Sequence, residues 1–279
     1  MPGNLHTLLG DYPVTRAIRD GSVSSPQVTL DIEDVKPPSA AFKRVVRGLD
    51  FDVAELAIVS FLIAKAHGKP LRLLPSVLVA RLQHPLIVCN AVRGVLRPKD
   101  LPGRRVGVRS YSVTTGAWLR GILAEDHGVD RSRIRWVTFE EAHVAEFRDP
   151  PNVERAEAGK KIVDMLLAGE IDAAIVGDGM APDPRLVPII PDPEGAAAAW
   201  RQKYGAIQIN HMVAVKDSVS AEDAAEVMRM LRESCRAAGD PEMSPFGIEA
   251  NRRNLEVAID FCHRQELIPR RYAVEELFA

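Results

Sequence analysis

The chain has 279 residues, of which 46% are hydrophobic and 27% charged, and its formal net charge at pH 7 is -2. So small a charge, with Lys and Arg spread along the chain rather than gathered in a stripe, removes the electrostatic case for nucleic acid. No apolar run approaches the ~20 residues of a membrane span, and "MPGNLHTLLGDYP" lacks the basic segment and apolar core of a secretory signal, so no membrane partner and a cytoplasmic location are expected. The cysteines Cys89, Cys235 and Cys262 lie far apart, with no Cys-x-x-Cys pair, and read as buried thiols rather than disulfides or zinc ligands.

The length exceeds one ordinary core and predicts two lobes. Strands are expected at "LHTLLG" and "QVTLDIED", with a helix near Pro13 to Asp20 between them. "PSAAFKRVVRG" has the apolar spacing of a helix (Ala41, Phe42, Val45, Val46) closed by Gly48. "FDVAELAIVSFLIAKAHG" reads as a short strand running into a helix, and "LRLLPSVLV" and "HPLIVCN" as buried strands. A second alternating unit begins near Arg97. It comprises the strand of "DLPGRRVGV", a helix from about Thr115, the strand "IRWVTF", the helix "KKIVDMLLAGE" and the strand "IDAAIVG". Asp178 to Gly195 reads as loop around one strand, "RLVPII", and a helix near Ala197 to Tyr204 and the strand "HMVAVK" follow. The remainder is helical, with Ser220 and Asp223 as an N-cap and an acidic first turn. This alternation predicts mostly parallel sheets covered by helices.

Ligands of open α/β sheets lie outside the carboxyl ends of the strands, which is where Gly10–Tyr12, Glu55, Arg81–His84 and Ser110–Thr115 fall. Ser110, Ser112, Thr114 and Thr115 form a strand–helix corner with neither the Gly-rich loop nor the Lys of a phosphate site, so the anion it suits is a carboxylate. The plainer reading is that one of these hydroxyls caps the helix. Arg16 is either a bidentate carboxylate anchor or a solvated surface residue. Glu55, between an apolar strand and an apolar helix, is either a partly desolvated group for proton transfer or a first-turn acid. His84, at a strand entrance and followed by Pro, is either structural or, with Arg81 as an anion anchor, an acid/base that His211 in "INHMVAVK" faces from the second crossing of the chain. No His-x-x-x-His spacing, Gly-x-Ser-x-Gly elbow or dinucleotide fingerprint is present. Proton transfer on an anionic ligand remains, or capture of that ligand without chemistry.

"GDYPVTRAIRDG", "FDVAELAIVSFLIAKAHG", "RLQHPLIVCN", "DLPGRRVGVRSYSVTTGAWLRGIL", "LLAGEIDAAI" and the ending "GIEANRRNLEVAIDFCHRQELIPRRYAVEELF" resemble the 4,5-dihydroxyphthalate decarboxylase family, in order, over nearly the whole chain. The resemblance implies a two-lobed α/β fold of the periplasmic-binding-protein-like (type II) class with a ligand cleft between the lobes. Lobe 1 is expected over 1–90 and 207–279, and lobe 2 over 91–206. It also implies decarboxylation of a catechol dicarboxylate to protocatechuate and CO2. Asp11, Tyr12, Thr15, Glu55, Arg81, His84, Tyr111, Thr114, Trp118 and Arg120 match the family's pattern. Glu55 and His84 are expected to be catalytic, and Asp11, Tyr12, Arg16, Arg81, Tyr111, His211 and the four hydroxyls of the corner to bind a small aromatic carboxylate. Ser110 stands where the family has an acidic residue, and Gln83 and Pro85 where it has Arg and Ser, which allows for a different aromatic acid. No cofactor is expected, a divalent metal and an oligomeric state stay open, and the alternative is a non-catalytic solute-binding protein on the same fold.

Overall fold

The computed structural model describes residues 3–177, 179 and 182–279. The chain divides into two units, Met1–Arg81 with Ala206–Ala279, and Leu82–Gly205. The first passage through unit 1 makes β1 (Gly3–Leu8), α1 (Pro13–Arg19), β2 (Val28–Ile32), β3 (Val53–Ala57), α2 (Ile58–Ala66) and β4 (Leu71–Ala80). Unit 2 holds β5 (Ile87–Asn90), β6 (Arg105–Val108), α3 (Thr114–His127), β7 (Arg135–Thr138), β8 (Val153–Arg155), α4 (Ile162–Ala168), β9 (Ala173–Ile175), β10 (Leu186–Pro188) and α5 (Pro193–Tyr204). The chain then returns to unit 1 as β11 (Ile209–Lys216), α6 (Ala221–Ala237) and α7 (Ile248–Arg264). Asp178, Met180 and Ala181, within the stretch read as loop, lie outside the described residues.

The strand order in unit 1 is β2-β1-β3-β11-β4. β1 pairs in parallel with β2 and β3, but β11 is antiparallel to both β3 and β4. The expectation of mostly parallel sheets holds with one exception here: the strand that re-enters from unit 2 runs against its neighbours. In unit 2 the order is β10-β5-β9-β6-β7-β8, with β5 antiparallel to β9 and β10 and the rest parallel. Because β5 pairs only within unit 2, the boundary falls after Arg81 rather than at residue 90.

One face of the unit 1 sheet carries Leu5, Val53, Val213 and Val215 against α1 and α6. α6 presents Ala224, Val227, Leu231 and Cys235 to it, the three-and-four spacing of an inward helical stripe. As expected, Ser220 caps α6, its hydroxyl accepting the Asp223 N–H at 3.0 Å. Midway along β4 the register against β11 jumps from Leu74–Val213 to Val77–Met212. Pro75, which has no N–H to give a ladder, sits in this bulge, and its carbonyl accepts the Gly247 N–H at 2.8 Å.

The expected helix over residues 38–48 is present as one helical run of mixed type, a 3-10 turn (Pro38–Ala41) continuing into a single π turn (Arg44–Gly48). Its predicted inward residues Ala41, Phe42, Val45 and Val46 are nonetheless all buried. So short a segment gains little from helical cooperativity, and packing decides its backbone. Among the described residues no helix is long and apolar enough to cross a membrane.

Candidate active site

β3 is buried along its whole length, and Glu55 follows Val53 on the same face of the pleat. The Glu55 side chain is 0% exposed, a position that a charge tolerates only with partners. Three surround it. The Gly10 N–H donates to Oε2 at 2.9 Å, and the Tyr12 hydroxyl donates to Oε1 at 2.7 Å. His211 Nδ1 lies 2.6 Å from the same Oε1. Residues 156 positions apart meet here because of strand register. In the antiparallel β3–β11 pair Glu55 is opposite Val213 and Ala57 opposite His211. Glu55 and His211 are thus diagonal neighbours on one face, within reach of long side chains.

With Nδ1–H held by the carboxylate, the other ring nitrogen, Nε2, is left as the acceptor; it has no hydrogen-bond partner among the described residues. The Phe42 ring stands edge-on to the imidazole, centroids 5.1 Å apart at 83°. The His211 side chain keeps 15% of its surface and Glu55 none, so His211 is the member of the pair that a ligand can touch. Glu55 is not a first-turn acid either: α2 begins after Ala57 and has no side-chain cap.

The loop into α1 supports this group from below. Thr15 is fully buried; its hydroxyl donates to the Gly10 carbonyl at 2.6 Å and accepts the Tyr12 N–H at 3.0 Å. Pro13 supplies the first helical position, where a missing N–H is harmless. Tyr12, expected to bind substrate, turns its hydroxyl to Glu55 instead. Asp11 and Arg16 contact each other at 3.4 Å with 57% and 63% of their side-chain surface exposed, so the solvated reading of Arg16 is the one the structure favours. The backbone N–H of half-buried Arg81 donates to Gln208 O at 3.3 Å. Gly10 was placed at the ligand end of its strand from the sequence without a role, and Phe42 only as a core residue. The signal for Gly10 was there, a glycine at a strand end two residues before an aromatic ring.

In unit 2 the corner before α3 differs from expectation in its capping. The N-cap is Val113, with no side-chain cap, because the chain enters the helix one residue after Ser112. Ser110 and Ser112 are 2% and 4% exposed, and their hydroxyl oxygens lie 3.4 Å apart. Both precede the first turn of the 14-residue helix α3. Thr114 is buried and Thr115 half-buried at the same turn. Tyr111 is covered by the fully buried Arg120, whose guanidinium carbon sits 3.8 Å from the ring centroid, with the Trp136 ring at 5.6 Å. Trp118 packs edge-on against Trp200. Burial pushes the Asp149 carboxyl up, against the pull of Arg155 and Arg120.

His84 opens the 3-10 turn (His84–Leu86) that leads directly into β5, and is 1% exposed. Burial pushes its imidazole down to about 4, partly offset by Asp126. His211, expected opposite it, pairs with Glu55 in unit 1, and His84 belongs to unit 2.

Two α/β units joined by a chain that leaves the first and returns to it define a periplasmic-binding-protein-like fold. The periplasmic aliphatic sulphonate binding protein SsuA from Escherichia coli superposes with a TM-score of 0.55 at 12% identity, covering 100% of this chain and 98% of that one. No family model matches the chain. Over 211 residues, 71% of this chain and 81% of the relative, it is 32% identical to the 4,5-dihydroxyphthalate decarboxylase of Pseudomonas putida. Over 238 residues, 78% of this chain and 69% of the relative, it is 29% identical to the 4,5-dihydroxyphthalate decarboxylase of Comamonas testosteroni. The chain belongs to the 4,5-dihydroxyphthalate decarboxylase family.

Proposed function

We propose that this chain decarboxylates a hydroxylated aromatic carboxylate, with 4,5-dihydroxyphthalate converted to protocatechuate and CO2, and that His211 is the acid/base with Glu55 holding it. The observation that carries this reading is the buried Glu55–His211 pair, in a member of a decarboxylase family. In such a substrate one hydroxyl lies para to the departing carboxylate. His211 Nε2 takes the proton of that hydroxyl, and the electron pair moves through the ring to the carbon bearing the carboxylate, which takes a second proton from solvent. The carbon–carbon bond then breaks, its electrons restore the aromatic ring, and CO2 leaves as the oxygen regains its proton. The sum is one carboxylate exchanged for one hydrogen, with no oxidant or reductant. A positioned general acid/base supplies ~10²–10⁴-fold of the acceleration, and orientation of the substrate much of the rest.

The test is incubation with 4,5-dihydroxyphthalate and related hydroxybenzoates while CO2 release is followed. In D2O the protocatechuate formed is expected to carry one deuterium, at the vacated carbon, by mass spectrometry and proton NMR. Silence across the panel, with ligand-induced thermal stabilisation, would instead support the solute-capture reading that the fold likeness favours. Because the para hydroxyl supplies the electron push and His211 the proton path, no cofactor is part of the proposal. Turnover is expected to survive dialysis against EDTA; activity lost there and restored by a divalent ion would add a metal to the mechanism. The free thiols of Cys89, Cys235 and Cys262, all buried, fit a reducing, cytoplasmic compartment.

A further inference from the structure

We propose that Gly10 and Tyr12 are positioning residues for the proton-transfer pair: the bare Cα of Gly10 lets the Tyr12 ring edge lie against it, so that the Gly10 amide and the Tyr12 hydroxyl together clamp both oxygens of Glu55 and fix the carboxylate toward His211. A Cβ on residue 10 would fall 2.5 Å from Tyr12 Cε2, 2.6 Å from Cζ and 2.8 Å from the hydroxyl oxygen. These are distances that real Cβ atoms do not adopt, so the ring would have to leave. Gly10 is not among the residues with positive φ, so its backbone suits alanine, and the three atoms nearest to a side chain there all belong to the Tyr12 ring. Oε1 receives both Tyr12 and His211, whereas Oε2 receives Gly10. Losing Tyr12 therefore frees the carboxylate to rotate about its last torsion and loosens its hold on Nδ1. Thr15 fixes the same loop from the other side through the Gly10 carbonyl and the Tyr12 N–H.

The functional half of this inference rests on the decarboxylase reading; the structural half does not, and the test separates them. Urea unfolding of the full chain is measured for wild type, Tyr12→Phe, Gly10→Ala and the double variant. Tyr12→Phe is expected to lower the midpoint clearly with glycine at position 10 and hardly at all with alanine, because the hydrogen bond is already broken there. Equal shifts in both backgrounds would overturn the proposal. In turnover of 4,5-dihydroxyphthalate, Gly10→Ala is expected to lower kcat at least tenfold with KM within about twofold. Introduced into a Tyr12→Leu background, where no ring meets the new methyl, the same change is expected to be silent. A Gly10→Ala variant that matches wild type, or one whose loss persists in the Tyr12→Leu background, overturns the proposal. Should Gly10→Ala alone not fold, Gly10→Ala/Tyr12→Leu is expected to fold, and its failure would likewise overturn it. A wild-type chain inert on every substrate removes the decarboxylase reading and leaves the unfolding cycle to decide the clamp.

Discussion

Glu55→Gln is expected to lower kcat for 4,5-dihydroxyphthalate by ~10²–10⁴-fold, with a much smaller change in KM. The substitution keeps the size of the side chain but replaces one acceptor oxygen by an NH2 group at a point where three donors converge. One donor must then face another. The least disruptive relief is for His211 to move its proton to Nε2 and accept at Nδ1. That tautomer presents a donor to a substrate hydroxyl whose proton has to be removed. The fold is expected to survive, since a buried amide carries no charge to desolvate. His211→Asn should fall into the same range by removing the acid/base itself, and the double variant should lose little more than the worse single one, as for residues that act as a unit. Rapid-quench measurement of the chemical step decides it; a Glu55→Gln enzyme within threefold of wild type would leave the pair without a role in proton transfer.

The second large effect concerns stability in acid. Between pH 6.5 and 4 the free energy of unfolding is expected to fall by about 3 kcal/mol through His84 alone. Its folded-state value lies near 4, below the ordinary 6.5, because burial penalises the imidazolium. Within that window the unfolded chain binds a proton that the folded chain refuses. The contribution is thus complete above pH 6.5, declines as the pH falls, and is flat below 4. Nδ1 of His84 has no hydrogen-bond partner among the described residues, so nothing local offsets the penalty beyond the distant pull of Asp126. Urea unfolding at pH 7 and pH 4 for wild type and His84→Leu isolates this contribution from every other titration. The variant should lose about 3 kcal/mol less over the interval, and parallel losses would show that His84 protonates in place.

The alternation of strand and helix, the cap at Ser220 and the burial of Phe42, Val45 and Val46 were all legible from local spacing, because periodicity reports which side of an element faces a core. Glu55 was legible as well: a lone carboxylate in "VAELA" has no solvated alternative once the strand is buried. What stayed hidden depended on register. Nothing within a few residues of His211 indicates that it lies diagonally across from Glu55, since that follows from the β3–β11 pairing. Sequence proximity favoured His84 with Arg81, yet the chain passes from one unit to the other immediately after Arg81. β8 escaped notice because three residues after "DPPN" carry too short a pattern to register as a strand. The hydroxyls before α3 were over-read as caps, because a one-residue offset of the helix start hands the N-cap to Val113.

The position of β11 between β3 and β4 sets an order of assembly as the chain is made. Residues 1–81 emerge first but lack the strand that joins β3 to β4, so the ribosome has completed all of unit 2 before unit 1 can close. Unit 2 is continuous in sequence and can fold while tethered; unit 1 must wait, its apolar strands uncovered, for residues 209–216. The strand that ends this wait also delivers His211 to Glu55. No chain that stops short of residue 211 can therefore hold the Glu55–His211 pair, and a nascent polypeptide released before that point is left unfinished as a sheet.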